Sequence, residues 1–262
     1  MAYSSNKEHP WFEICHPRPS AEWQVFIFPA AGTAGSFYKD WDRNFPEYEF
    51  SIIIYPGRAK RLGERLLTTI KEYLVQLHRE LLPYITKPCI FIGHSVGTVI
   101  SFALARHMIE ARNKGDLIKL LVEMSRGPPH IQGLDADKSF TIMTDAELVE
   151  NLKLMSDPKS RDAFDYKPFV DMLIPILRAD AKLGDVLIPS NPINIPIVVY
   201  SGEKEENLTE EFLNRWIELT TVKDLFRVRI FPGHHNFHSE HPDQVLQCLK
   251  EDFNQIIMLT KV

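Results

Sequence analysis

A serine between two glycines, a loop with three glutamates and a loop with four histidines carry the groups of this sequence able to do chemistry. Ser95 lies in Gly93-His94-Ser95-Val96-Gly97. The bare G-x-S-x-G pattern arises by chance in roughly one chain in ten of this length, so its context decides. The residues before it, Cys89-Ile90-Phe91-Ile92, are apolar and partly β-branched, as a buried parallel strand requires. A helix-length run follows from Val96, with Val99, Phe102, Ala103 and Ala105 near a 3.6-residue period. A strand-to-helix turn is where a nucleophile elbow belongs, and a helix N-terminus favours negative charge there. The alternative is a structural turn with a solvent-facing serine.

A hydroxyl is a poor nucleophile without a base. On such an elbow the acid and then the histidine follow in chain order, on loops after later strands. Of ten histidines, His94 adjoins the serine and is expected to point away as a packing residue. His234, His235, His238 and His241 cluster in FPGHHNFHSEHP, before the last helix, where the base belongs. A metal site is the rival reading of that cluster, but no zinc-ligand pattern stands on a helix there. The acid is expected in VVYSGEKEENLT, which offers Glu203, Glu205 and Glu206 and no aspartate. A glutamate can accept the histidine Nδ1 proton and hold the tautomer. Two backbone N–H groups must receive an oxyanion: that of Val96 and one from the small loop FPAAGTAG, Phe28 to Gly35. A phosphate-binding reading of that loop lacks a Lys-Ser/Thr end and a G-x-G-x-x-G.

These loops need strands and helices to position them. The pattern predicts strands at 24–28, 50–55, 89–92, 119–124, 195–200 and 226–231. Helices are predicted at 68–82, 96–112, 209–220 and 242–259. Alternating strand and helix implies an α/β fold with a mostly parallel sheet flanked by helices, whose sites lie at the strand carboxyl ends. Residues 128–194 break the alternation. They read as two or three short helices, interrupted by Pro175, inserted as a lid over the strand ends.

The chain of 262 residues, 44% apolar and 25% charged, suits one domain over 1–262 carrying that lid. The net charge of -5, with no long block of one sign, offers no nucleic-acid footprint. No apolar run has the length of a membrane span, and the start has no apolar core of a signal peptide. Cys15, Cys89 and Cys248 show no CxxC spacing, which argues for reduced thiols in a cytoplasmic protein.

FPAAG, YPGR, GHSVG, PILRAD, SGE followed by Trp216, and FPGHH stand in this order. Together they resemble the type II thioesterases of polyketide and nonribosomal peptide synthesis, over roughly Trp23 to Leu249. GHSxG is shared by all α/β-hydrolases; FPxAG, YPGR and LRAD are more specific. The resemblance implies an α/β-hydrolase fold with a helical lid and a stand-alone enzyme without metal or cofactor. It implies hydrolysis of acyl thioesters on the phosphopantetheine arm of acyl or peptidyl carrier proteins, editing stalled synthases. Ser95 matches the nucleophile. FPGHHNF aligns with FPGGHFF, which places the base at His235; His234 then replaces a glycine and Asn236 a phenylalanine. The family acid, an aspartate three residues after the glycine, falls on Glu205, with Glu206 and Glu203 as alternatives. The second oxyanion amide falls on Ala31. Phe169, Met172, Leu173 and Leu177 are candidates to line the acyl chamber, or equally plain lid core. A monomer is the default. The rival functions are a carboxylesterase, in-trans product release, and a non-catalytic carrier-binding protein with a degraded triad.

Overall fold

In the computed structural model, the described residues are 9–132, 140–155, 161–189, 191–205 and 207–260. Seven strands form one sheet: β1 (Phe12–Glu13), β2 (Trp23–Phe28), β3 (Tyr48–Ile53), β4 (Cys89–His94), β5 (Ile118–Met124), β6 (Ile197–Gly202) and β7 (Arg227–Phe231). Their order is β1-β3-β2-β4-β5-β6-β7. Only the β1–β3 pair is antiparallel. Every residue of β2, β3, β4 and β6 is buried; in β2, β4 and β6 this shows as continuous apolar stretches over 25–28, 89–92 and 197–200, whereas β3 sets Glu49 and Ser51 between apolar residues.

Alternate side chains feed two cores. Phe26, Phe28, Phe91 and Leu121 face α1 (Ile70–Leu81) and α2 (Val96–Glu110), meeting Tyr73, Leu77, Val99 and Phe102. Val25, Ile27, Ile90 and Ile92 face α7 (Pro242–Thr260), meeting Val245, Leu249 and Phe253. Thr69 caps α1, accepting from the Glu72 N–H at 3.2 Å while the Glu72 carboxylate returns to the Thr68 N–H at 3.3 Å; this resembles a capping box.

The sheet order sets the site. The chain steps from β2 outward to β3, then returns to place β4 on the other side of β2. The loops after β2 and β4 therefore diverge and leave a crevice at the carboxyl ends.

Between β5 and β6 the described residues hold α3 (Asp145–Met155), a 3-10 turn at Arg161–Asp165 and α4 (Lys167–Gly184). Pro175 does not interrupt α4, which runs through it; only the hydrogen bond its missing N–H would make is lost. The helix predicted at 209–220 divides into a short α5 (Glu210–Asn214) and a 3-10 turn, Arg215–Leu219. A four-residue α6 (Phe237–Glu240) precedes α7. Among the described residues no helix is long and apolar enough to cross a membrane.

Gly97 is where α2 meets β2. A Cβ there would lie 1.9 Å from the Phe28 carbonyl oxygen and 2.8 Å from that of Pro29. Both obstacles are backbone, so relief requires moving a strand end. Gly97→Ala is expected to cost about 1–3 kcal/mol or more, read as a lower urea midpoint; an unchanged midpoint would disprove the tight contact.

Candidate active site

Ser95 joins β4 to α2 at φ 56°, ψ −119°, a backbone region that residues with a Cβ rarely adopt. Its surroundings hold it there. Its N–H donates to the Met124 carbonyl at 2.8 Å, and its carbonyl accepts from the Thr98 N–H at 3.0 Å and the Thr98 hydroxyl at 2.8 Å. Gly93 is as constrained as Gly97: a Cβ would sit 2.4 Å from Glu123 Oε2 and 2.6 Å from Ser101 Oγ. The glycines thus serve close approach rather than turn conformation. Val96 opens α2, where a helix leaves its first N–H groups without an acceptor.

The loops with the candidate acid and base leave β6 and β7. His235 Nδ1 lies 2.8 Å from Glu205 Oε1. A carboxylate only accepts, so Nδ1 carries a hydrogen; in the neutral ring the lone pair then stands on Nε2. Glu205 Oε2 accepts from Ser125 Oγ and Ser201 Oγ, each at 2.9 Å, and from the Gly202 N–H at 3.0 Å. Burial pushes this carboxyl upward. The bond and charge of His235, with the Gly202 and Ser201 donors, outweigh it and hold the group below its ordinary 4.5. Glu203 is exposed, and Glu206 lies outside the described residues. Ser95 Oγ makes no hydrogen bond among the described residues; bonds of this kind often tighten only around substrate.

Three residues absent from the sequence-based site join the loops. Ser125, after β5 at φ 54°, also lies 3.0 Å from the His235 carbonyl oxygen. His94 does not merely pack. Its Nε2 lies 3.1 Å from that same carbonyl, and its Nδ1 accepts from the Tyr38 hydroxyl at 2.7 Å. The residue before Ser95 thereby grips the backbone of His235, and the two rings lie 5.0 Å apart. Nothing in the local pattern marked Tyr38 or Ser125. The other histidines diverge: His234 turns to Glu240, while His238 stacks on Tyr38 at 5.3 Å.

The loop after β2 is held across the site. Gly32, at φ 71°, donates its N–H to Asp180 Oδ2 at 2.8 Å. Asp180 belongs to α4 and pairs with Arg58 at 2.6 and 2.9 Å. Neither the Ala31 nor the Val96 N–H donates to another group among the described residues. Leu173 and Leu177 are buried with Leu148 in one apolar cluster, with Ala31 and Phe169 both half-buried against it, and the two leucines are the side chains nearest the Gly32 position. Met172 is exposed and, with Phe169, lines a surface pocket of about 410 Å³ alongside Ala163, Tyr166 and Pro168. Of the four candidates, two therefore reach the Ala31 loop and two the outer face.

Two of the site histidines are buried and electrically neutral. Burial, with repulsion from neighbouring histidines, pushes His94 well below its ordinary 6.5 and His238 to about 3. The unfolded chain takes up these protons first, so their stability contribution is full above about pH 6.5 and is lost as pH falls toward the folded values. Melting temperature is expected to drop through about pH 7 to 5. His238→Phe, which keeps a ring against Tyr38, should flatten that drop; an unchanged slope would clear His238.

The chain is similar to proteins of peptide and polyketide antibiotic biosynthesis. Gramicidin S biosynthesis protein GrsT of Aneurinibacillus migulanus is 28% identical over 250 residues, covering 94% of this chain and 95% of its own. The type II thioesterase BorB from the borrelidin biosynthetic cluster superposes with a TM-score of 0.77 at 26% identity, over 94% of this chain and 97% of its own. RedJ, a thioesterase of the prodiginine pathway in Streptomyces coelicolor, reaches 0.79 at 24% identity, over 89% of this chain and 86% of its own; at that identity the likeness concerns the fold. Residues 23–253 match the thioesterase domain family, and the chain belongs to it: a hydrolase of thioester bonds on an α/β-hydrolase fold.

Proposed function

We propose that this protein is a stand-alone editing thioesterase, removing acyl groups from the phosphopantetheine arm of acyl or peptidyl carrier proteins through Ser95, His235 and Glu205. The observation that carries the reading is the 2.8 Å contact between His235 Nδ1 and a Glu205 carboxylate whose other oxygen is already filled by three donors. An imidazole so fixed keeps Nε2, in its neutral form, as the nitrogen with the lone pair, which is what a general base needs.

His235 Nε2 takes the Ser95 hydroxyl proton as Oγ attacks the thioester carbonyl. The Val96 and Ala31 N–H groups receive the oxyanion, a contribution of about 3–4 kcal/mol per donor. The tetrahedral intermediate collapses, the C–S bond breaks, and the pantetheine sulfur leaves with the proton from His235. Water, giving a proton to His235, then attacks the acyl-Ser95 ester; the C–Oγ bond breaks, His235 returns the proton to Ser95 Oγ, and the acid is released. Glu205 stabilises the imidazolium formed in each half.

The segment 128–194 is assigned as a lid on a single domain, with Leu173 and Leu177 closing over the acyl group beside Ala31, and Phe169 and Met172 at the rim. The similarity to GrsT and BorB supports a carrier-bound substrate and a place beside a synthase in the cytoplasm. The protein acts as a monomer.

Acetyl- and longer acyl-phosphopantetheinyl carrier proteins are the substrates that test this. Wild type is expected to release the acid. Ser95→Ala and His235→Ala should lose about 10³-fold or more. Glu205→Gln should lose about 10³–10⁴-fold: the Gly202 N–H holds the amide oxygen at the Oε2 position, so the amide NH₂ faces Nδ1 and forces the wrong tautomer. Activity on free esters with none on any carrier would turn the assignment to a carboxylesterase.

A further inference from the structure

YPGR and LRAD lie far apart in sequence, and neither takes part in the chemistry above. In the structure they meet. Arg58 of the first and Asp180 of the second form a two-point ion pair, with the two side chains 4% and 1% exposed. Two further Arg58 donors, on Nη2 and Nε, go to the Pro56 carbonyl at 3.3 and 3.4 Å. A buried pair of this kind is weak evidence of stabilisation, since desolvation consumes most of its attraction. Its third partner gives it another use. Asp180 Oδ2 receives both Arg58 and the Gly32 N–H.

Gly32 follows Ala31 in a turn pinned at several points. The Ala30 carbonyl accepts from the Thr33 N–H at 3.3 Å and the Thr33 hydroxyl at 3.0 Å. In a trans peptide the N–H points opposite to the C=O, so holding the Ala30 oxygen on one side aims the Ala31 N–H to the other. The Tyr55 hydroxyl, beside Arg58, donates to the Pro29 carbonyl at 3.3 Å. Asp180 is the anchor of this turn that comes from outside it and from α4. The φ of 71° at position 32 favours a glycine, and a Cβ there would lie 2.7 Å from Leu177 Cδ2, so that side chain would have to shift.

We propose that Asp180, held by Arg58, is a positioning residue: it fixes the Gly32 amide and so aims the Ala31 N–H at the acyl oxygen. This rests on the reading of Ala31 as an oxyanion donor. It makes the hole dependent on where α4 lies, because displacing that helix withdraws the acceptor from Gly32.

The decisive variant replaces the pair by apolar groups of similar size, Arg58→Met with Asp180→Leu. Such replacements are often neutral or stabilising, whereas the Gly32 acceptor is removed. A misplaced donor should cost less than an absent one, so kcat on an acyl-N-acetylcysteamine thioester is expected to fall about 10–100-fold, with KM little changed. The specific readout is a short alkylboronic acid. Ser95 Oγ adds to its boron, the proton passes to His235, and a hydroxyl of the resulting anionic tetrahedral boronate stands where the oxyanion forms. Its affinity should fall by the same factor as kcat, while binding of the product acid and melting temperature hold. Asp180→Asn retains an acceptor for Gly32 and should restore most of the activity. Should the double variant not fold, the same parallel fall is expected in Asp180→Asn at smaller amplitude.

Unchanged kcat, or lost kcat with boronate affinity intact, would overturn the inference. In either case Ser95-dependent turnover by wild type would leave the thioesterase reading standing. Wild-type turnover that survives Ser95→Ala would instead sink that reading itself.

Discussion

The start of α2 is pressed against the end of β2, with no room for a side-chain carbon between Gly97 and the Phe28 carbonyl. The rest of the site depends on this contact. It fixes the distance between the turn that carries Ser95 and the loop that carries Ala31, since each begins within a few residues of it. The divergence of those loops follows from the placement of β4 on the far side of β2 from β3. Strand order opens the crevice; the glycine contact keeps it narrow. A positive helix end then faces the gap where negative charge would form.

Glu205 organises the opposite wall. It stands where the resemblance led one to expect an aspartate, and its extra methylene is absorbed locally. Ser201 and Gly202, four and three residues earlier, both bind Oε2. The side chain is therefore folded back over its own turn before Oε1 meets His235. Ser125 extends this wall to β5, and His94 extends it to β4 through the His235 carbonyl. Four consecutive strand ends thus share one hydrogen-bonded framework.

Much of this was legible in the sequence, for definite reasons. β2, β4 and β6 are buried on both faces and carry continuous apolar runs, and β5 holds Leu120, Leu121 and Val122 between Lys119 and Glu123. The order of serine, acid and histidine along successive strand ends follows from that alternation. Other features leave no such mark. β1 has two residues, and the 3-10 turns at 36–44 are too short to show a period. Pro175 read as an interruption because local chemistry disfavours it, yet packing carries α4 through. Periodicity could not choose among Glu203, Glu205 and Glu206; the choice of Glu205 came from the resemblance, whose acid stands three residues after the glycine matched by Gly202. Arg58 and Asp180 were visible only as parts of separate motifs. No local rule joins residues 122 positions apart, and only the folded chain makes them neighbours.

The backbone at Ser95 has a consequence for how such a protein evolves. At φ 56° a glycine would be more comfortable than a serine. Drift toward greater stability alone would erase the hydroxyl from this position. On the proposed role of Ser95 as nucleophile, its presence would record a compromise in which selection for turnover outweighs selection for robustness. Lineages released from the first pressure would be expected to lose this side chain early, long before the fold around it decayed.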